Sequence, residues 1–344
     1  MKIDKIVFAC SEEFSPFWNM QSFIWKEMLG IEPVCILWGK IENTDMKDTH
    51  GEIIEKKYNP DLVKSFQLTW SKFYHTQTEP ETTWIIGDID LFPLQREWFI
   101  DKIEELPDDV YTHLAYGVLN SNHDFEHESG DWASLAAYYH VAKGKIFQKA
   151  LGLDECSYEE QIRRVTNDTE QRFGRPTTKE HITDYWEWTS RHGYSPYITP
   201  EGDETELQYW LADEKYSSYR LFDAHTKKEI KFISHITPDL SEMKSNEGRG
   251  LVDRVDRANF NSGEYTHYGI NRIQNFGYVD LHAFRPYKQQ ENALKKIMVL
   301  TWGQDILNKL KENSIKMNHL ISTVGSEWWN QEFPDWEKTI GRKK

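Results

Sequence analysis

Two short apolar runs, Lys5–Ala9 and Pro33–Leu37, bracket a stretch in which Phe17, Met20, Ile24 and Met28 recur at helical spacing. Residues three and four apart share one face of a helix, so this stretch predicts an amphipathic helix, closed by Gly30 as its C-terminal cap. Strand, helix and strand in so short a span make a βαβ unit. Strands joined by such a crossover run parallel, so the chain is expected to build a parallel sheet covered by helices.

The pattern continues beyond that unit. Asn59-Pro60-Asp61 reads as the opening of a helix carrying Leu62, Phe66, Trp70 and Phe73, and Trp84–Gly87 as the next buried strand. Pro93 breaks the run before a helix over Gln95–Leu106. Strands are expected at Leu114–Leu119 and Tyr138–Ala142, with the polar stretch Asn120–Asp131 as a surface loop between them, and a short helix at Ile146–Leu151. Ser157–His192 has a helical pattern and Thr205–Ala212 reads as a short helix. Tyr219–Phe222 and Ile230–Ile233 resemble strands, and Asp239–Gly263 a loop-rich segment. Gly277–Asp280 returns to strand, and the region from Gln290 to about Leu320 reads as amphipathic helix interrupted near Gly303.

Composition narrows the partners. Lys and Arg number 41 against 56 Asp and Glu, a formal charge of −15, without the basic stripe that would track a phosphate backbone. No nucleic-acid partner is expected. Cys10, Cys35 and Cys156 are odd in number and scattered, which fits a reducing compartment rather than a disulfide framework. Nowhere are about 18 apolar residues consecutive, and the first residues carry no signal region, so no membrane span and a cytoplasmic location are expected. The 14 Trp, 17 Tyr and 17 Phe could stack on sugar rings, Trp132, Trp186 and Trp188 among them, though core packing accounts for each more simply.

The chemistry-bearing motif is Asp88-Ile89-Asp90, which follows the strand Trp84-Ile85-Ile86-Gly87 and precedes Leu91-Phe92-Pro93. A turn after a strand lets two carboxylates one residue apart address the same open face, at the carboxyl end of a parallel sheet where α/β folds bind ligands. Carboxylates so placed suit a divalent cation, Mn²⁺ or Mg²⁺, that neutralises charge on a departing diphosphate. The competing reading is a turn whose aspartates cap the next helix.

This segment resembles the DxD region of GT-A glycosyltransferases. The likeness extends to the opening strand with its Ala9-Cys10-Ser11 loop and to the βαβ order, over most of residues 1–288. It implies a Rossmann-like fold with a mainly parallel central sheet flanked by helices. Residues 1–95 would form a nucleotide-binding half, 96–288 an acceptor half and 289–344 a C-terminal helical extension. The implied activity is metal-dependent transfer of a sugar from a UDP- or GDP-sugar to a glycan or other hydroxyl acceptor.

By the same resemblance Asp88 and Asp90 are metal ligands, joined by His282 from Asp280-Leu281-His282, although the fuller His-x-x-Gly-x-x-Lys-Pro-Trp pattern of one such family is missing. Ala9, Cys10, Ser11 and Trp38 would line the nucleotide pocket, and Lys72, Arg285 and Lys288 would hold the diphosphate. Asp203 or Glu204, before a short helix, would face the acceptor hydroxyl as base. Tyr138–Gly144 would lie near the donor sugar.

Three alternatives compete. A haloacid-dehalogenase-type phosphatase also uses Asp-x-Asp after a strand, but with small residues and Thr following, where this chain has Leu91-Phe92-Pro93. A nucleotidyltransferase would carry a Gly-rich basic loop in place of Ser11-Glu12-Glu13-Phe14. A non-catalytic glycan- or nucleotide-sugar-binding protein would not require Asp88 and Asp90 at a strand end.

Overall fold

The computed structural model describes residues 1–114, 135–154, 156–173, 212–234, 254–255, 279–283, 287–312, 323 and 326–339. Strands β1 (Lys5–Ser11), β2 (Glu32–Trp38), β3 (Glu52–Lys56) and β4 (Thr83–Ile86) pair in parallel in the order β3-β2-β1-β4. The sheet continues through β7 (His140–Lys143), antiparallel to β4, then β6 (Tyr111–His113) and β8 (Phe232–Ser234). The fold is therefore mixed α/β with a mostly parallel seven-stranded sheet. A smaller sheet joins β5 (Leu91–Pro93), β10 (Asp280–His282) and β9 (Arg254–Val255) in that order.

Alternation along β1 divides the core. Ile6, Phe8 and Cys10 face one apolar cluster, Val7 and Ala9 the other, as the period of two requires. The first cluster takes helix α1 (Trp18–Phe23) and its wider-turned continuation Ile24–Leu29, together with Leu294, Ile297 and Trp302 of the long C-terminal helix. Gly30 closes the first of these helices at φ 76°, the left-handed cap expected of a glycine there. The second cluster takes α2 (Lys64–His75), α4 (Gly144–Leu151), α5 (Tyr158–Phe173) and α6 (Ala212–Thr226), through Phe66, Trp70, Phe147, Ile162 and Tyr216. A short helix α3 (Lys102–Glu104) precedes β6. Trp18, Trp25, Trp70, Trp84 and Trp329 are fully buried, so much of the aromatic excess fills the core.

Several expectations need correction. Tyr219–Phe222 lies inside α6, because four apolar residues do not distinguish a strand from a buried helix turn. The C-terminal helix α7 (Tyr287–Lys311) runs unbroken through Gly303. That glycine is buried, and a Cβ there would meet the ring of Phe333; it permits close approach and does not end the helix. Asn59-Pro60-Asp61 precedes α2 without belonging to it. The Asn59 side chain accepts the Asp61 N–H (3.0 Å), an Asx turn, and helix begins only at Lys64. Leu91-Phe92-Pro93 is a strand, not only a turn, with Pro93 at its end where no N–H is needed.

The expected loop Asn120–Asp131, the helix before Ala212, and Trp132, Trp186 and Trp188 lie outside the described residues. Among those described, no helix is long and apolar enough to cross a membrane.

Candidate functional site

Strand β4 is buried at all four positions and delivers the chain to Gly87. There the backbone presses on β1. The Gly87 N–H donates to the Val7 carbonyl (2.9 Å), and a Cβ on Gly87 would overlap the Phe8 ring. Only glycine allows that approach. The chain then turns, with the Leu91 N–H donating to the Asp88 carbonyl (3.0 Å), and Ile89 is buried.

A buried amide holds this turn in place. Gln21 of α1 donates through Nε2 to the carbonyls of Ile89 (3.0 Å) and Leu91 (2.7 Å), while its Oε1 accepts from Trp25 Nε1 (3.1 Å). Both amide protons and the amide oxygen are used, so the clamp is fully satisfied and stiff. From the other side the Ala283 N–H donates to the Asp90 carbonyl (2.7 Å).

The two carboxylates have different partners. Asp88 is half-buried and ion-paired with Lys72 of α2, whose side chain is almost entirely covered. Asp90 is buried, and its Oδ2 lies 3.5 Å from His282 Nε2 on β10. Register puts His282 opposite Leu91, so the hairpin-like pairing of β10 with β5 carries the imidazole to Asp90. Two residues earlier on β10, fully buried Asp280 accepts a hydrogen bond from Tyr139 Oη (3.0 Å).

Tyr139 has a left-handed backbone, φ 62°, uncommon for a residue with a bulky side chain. Its N–H donates to the carbonyl of Ile86, the last residue of β4, and its own carbonyl accepts from Leu114 (3.0 Å). Lying directly before β7, this residue thus ties the ends of β4 and β6 to β10.

Beyond the carboxyl end of β4, Asp88 is therefore paired with Lys72 and Asp90 with His282. Ser11 is half-buried at the end of the neighbouring β1 and Ala9 is nearly covered. Cys10 and Trp38 are core residues. The Cys10 sulfur lies 3.5 Å from that of Cys35, both thiols free, and Trp38 stacks on Tyr58 while donating to Ser71 (3.0 Å). Lys288 is exposed in the first turn of α7. Asp203, Glu204 and Arg285 lie outside the described residues.

Sequence reasoning missed Gln21 and Glu12, and it named Tyr139 only as part of the Tyr138–Gly144 segment, without its bond to Asp280. The signal for Gln21 was a lone amide on the otherwise apolar face defined by Phe17, Met20 and Ile24. Glu12 accepts from the Lys40 N–H (2.8 Å) and from Asn43 (2.9 Å), which bind the loops after β1 and β2 together. Those bonds, Asn43's first, hold its carboxyl below the usual range.

Among the described residues no three His, Cys, Asp or Glu side chains are grouped to hold a metal ion. The pair Asp90 and His282 offers one oxygen and one nitrogen donor close enough to share a cation, and Asp88 stands one residue away, engaged by Lys72. A mixed oxygen and imidazole set suits Mn²⁺, with positions left open for ligand oxygens.

No protein-family model matches the chain, and no curated protein matches it. Among solved structures it is similar to the galactosyltransferase LgtC in complex with donor and acceptor sugar analogues. That alignment has 14% identity and a TM-score of 0.29 over 46% of this chain and 68% of that one. It is also similar to the apo-form glycosyltransferase GlyE of Streptococcus pneumoniae TIGR4, at 13% identity and TM-score 0.29 over 67% of this chain and 65% of that one. At these values the likeness carries no functional weight.

Proposed function

We propose that the chain is a glycosyltransferase that takes a sugar from a nucleotide-diphosphate sugar, UDP- or GDP-linked, and passes it to a glycan or other hydroxyl acceptor with a divalent cation bound at Asp88 and Asp90. One observation carries the reading. A clamped acidic turn at the carboxyl end of a parallel strand is flanked by an imidazole 3.5 Å from Asp90 and by a buried lysine on Asp88.

Asp90 and His282 would hold Mn²⁺ or Mg²⁺, joined by Asp88 as Lys72 turns toward substrate. Bound there, the cation would supply Lewis-acid stabilisation of the departing diphosphate. Lys72 would swing its ammonium from Asp88 to a phosphate oxygen, and as a point charge it could follow that group as it leaves. Lys288, with Arg285, would add positive charge at the same mouth. Asp203 or Glu204 would orient the acceptor hydroxyl, and take its proton if the anomeric centre inverts. Gln21 and Gly87 position the turn.

The test is release of nucleoside diphosphate from a panel of nucleotide-sugars, with Mn²⁺ or with chelator, for the native chain and for Asp88→Ala and Asp90→Ala. Metal-dependent release from one donor, lost in both variants, is the expected result. No release from any donor, and no nucleotide-dependent thermal shift, would overturn the proposal and favour glycan binding without catalysis.

A further inference from the structure

At the opposite end of the central sheet lies a cavity of about 770 Å³ whose walls carry Lys143, Lys145, Lys149, Lys228 and Lys231. Lys143 pairs in register with Thr83, the first residue of β4, so the cavity is a strand's length from Asp88 and Asp90. Three carboxylates, Asp108, Asp109 and Glu229, also line it, which leaves lysines in excess in a chain whose formal charge is −15.

Solvated lysines on a surface need no ligand, but three observations go beyond that. First, Lys143 reaches Asp108 only at 3.7 Å and Lys145 is held by Glu81 at 2.8 Å, while Lys149, Lys228 and Lys231 have no ion-pair partner among the described residues. Second, Lys143 and Lys145 flank the N-terminus of α4, where the helix dipole disfavours cations. Third, Lys228 occupies a left-handed backbone (φ 60°), set by its N–H on the His225 carbonyl (3.0 Å) and by the Glu229 N–H on the Ala224 carbonyl (2.9 Å). Glycine or asparagine usually fills such a position after a helix, so the lysine sits there against a backbone preference.

We infer that this cavity is a second ligand site, separate from the acidic turn, that takes a small multiply charged anion of the polyphosphate class. Its volume suits a small molecule. Five ammonium groups, three of them without an ion pair among the described residues, complement several phosphate oxygens, and lysines on flexible stems accommodate tetrahedral groups without a fixed fork. The site is built from the segment before β6, the end of β7, α4 and the segment after α6, none of which contributes a residue to the acidic turn.

Isothermal titration of the full chain with inorganic tripolyphosphate, in chelator so that no cation recruits the acidic turn, tests this. Binding of one equivalent is expected, weakened at least tenfold in a Lys149→Glu/Lys231→Glu double variant and unchanged in Asp90→Ala. Both lysines are exposed, so the double variant is expected to fold, checked by its circular dichroism. Lys228→Gly should raise Tm and still weaken tripolyphosphate several-fold; a purely structural lysine would leave the affinity unchanged. Absence of binding at millimolar tripolyphosphate overturns the inference. So does binding that the double variant leaves intact, or binding confined to vesicles containing phosphatidylserine.

Discussion

The two ends of the central sheet carry opposite charge and hold it in opposite ways. At the carboxyl end of β4, each aspartate has an internal partner and the backbone between them is fixed from two sides, by Gln21 and by Ala283. At the amino end the charge sits on exposed lysines whose ion pairs are few and solvated. Low solvent access makes each interaction at the first end strong and each lost partner costly. At the second end water screens every pair, so recognition depends on the number of cations and hardly on any one of them. The first arrangement suits geometry-dependent chemistry, the second reversible binding.

Substitutions should expose that contrast. The largest effect is expected for Asp90→Ala, which removes the carboxylate that faces His282. Turnover of the donor should fall about 10³-fold, roughly 4 kcal/mol of transition-state stabilisation, read as initial rates at saturating donor and Mn²⁺. A loss under tenfold would mean that the acidic end is no more demanding than the basic one.

Next comes Gln21→Leu, similar in volume but without the amide. It leaves the Ile89 and Leu91 carbonyls and Trp25 Nε1 without their present partner. A loss of about 3 kcal/mol in denaturant unfolding is expected, with turnover falling as the turn loosens.

Acidification should act through His75, at the end of α2, where it meets Trp84 edge-on. Burial above all holds its imidazole down to about 4, offset in part by Glu79. The folded state thus refuses a proton that the unfolded chain accepts near pH 6.5. Its contribution to stability is complete above pH 6.5, erodes as pH falls, and is gone below about 4. A loss of about 2 kcal/mol between pH 7 and pH 4.5 is expected, and His75→Gln should flatten that slope. Fully buried His140 is driven the same way, mainly by burial and then by His113, so some acid sensitivity should survive. The smallest effect is expected for Lys145→Ala. Its bidentate contact with Glu81 is solvent-exposed, so the midpoint of denaturant unfolding should not move measurably.

Much of the acidic end could be read from the chain, and the reasons are local. Apolar runs announce β1, β2 and β4, the periodicity of Phe17 to Met28 announces the first helix, and Gly30 marks its end. Asp88, Asp90, Lys72 and His282 stand out by residue type and position, and the structure pairs Lys72 with Asp88 and His282 with Asp90.

What stayed hidden depends on tertiary context. Strand β3 has only Ile53 and Ile54 as apolar residues, and its strand state comes from pairing with β2. Gly303 looked like a break because its purpose, room for Phe333, lies thirty residues away. Nothing in the order of residues marks the lysines of β7, α4 and the segment after α6 as neighbours, since they converge only once the sheet is assembled.

Tyr139 has a bearing on how the molecule is made. Its unfavourable backbone is sustained by bonds to Ile86 and Leu114, and its hydroxyl reaches Asp280 across 141 positions of chain. A contact of that span closes only after most of the polypeptide has been synthesised and the sheet has formed. His282, two residues past Asp280, arrives by the same closure. Nascent or half-folded chains would therefore display the acidic turn without its imidazole.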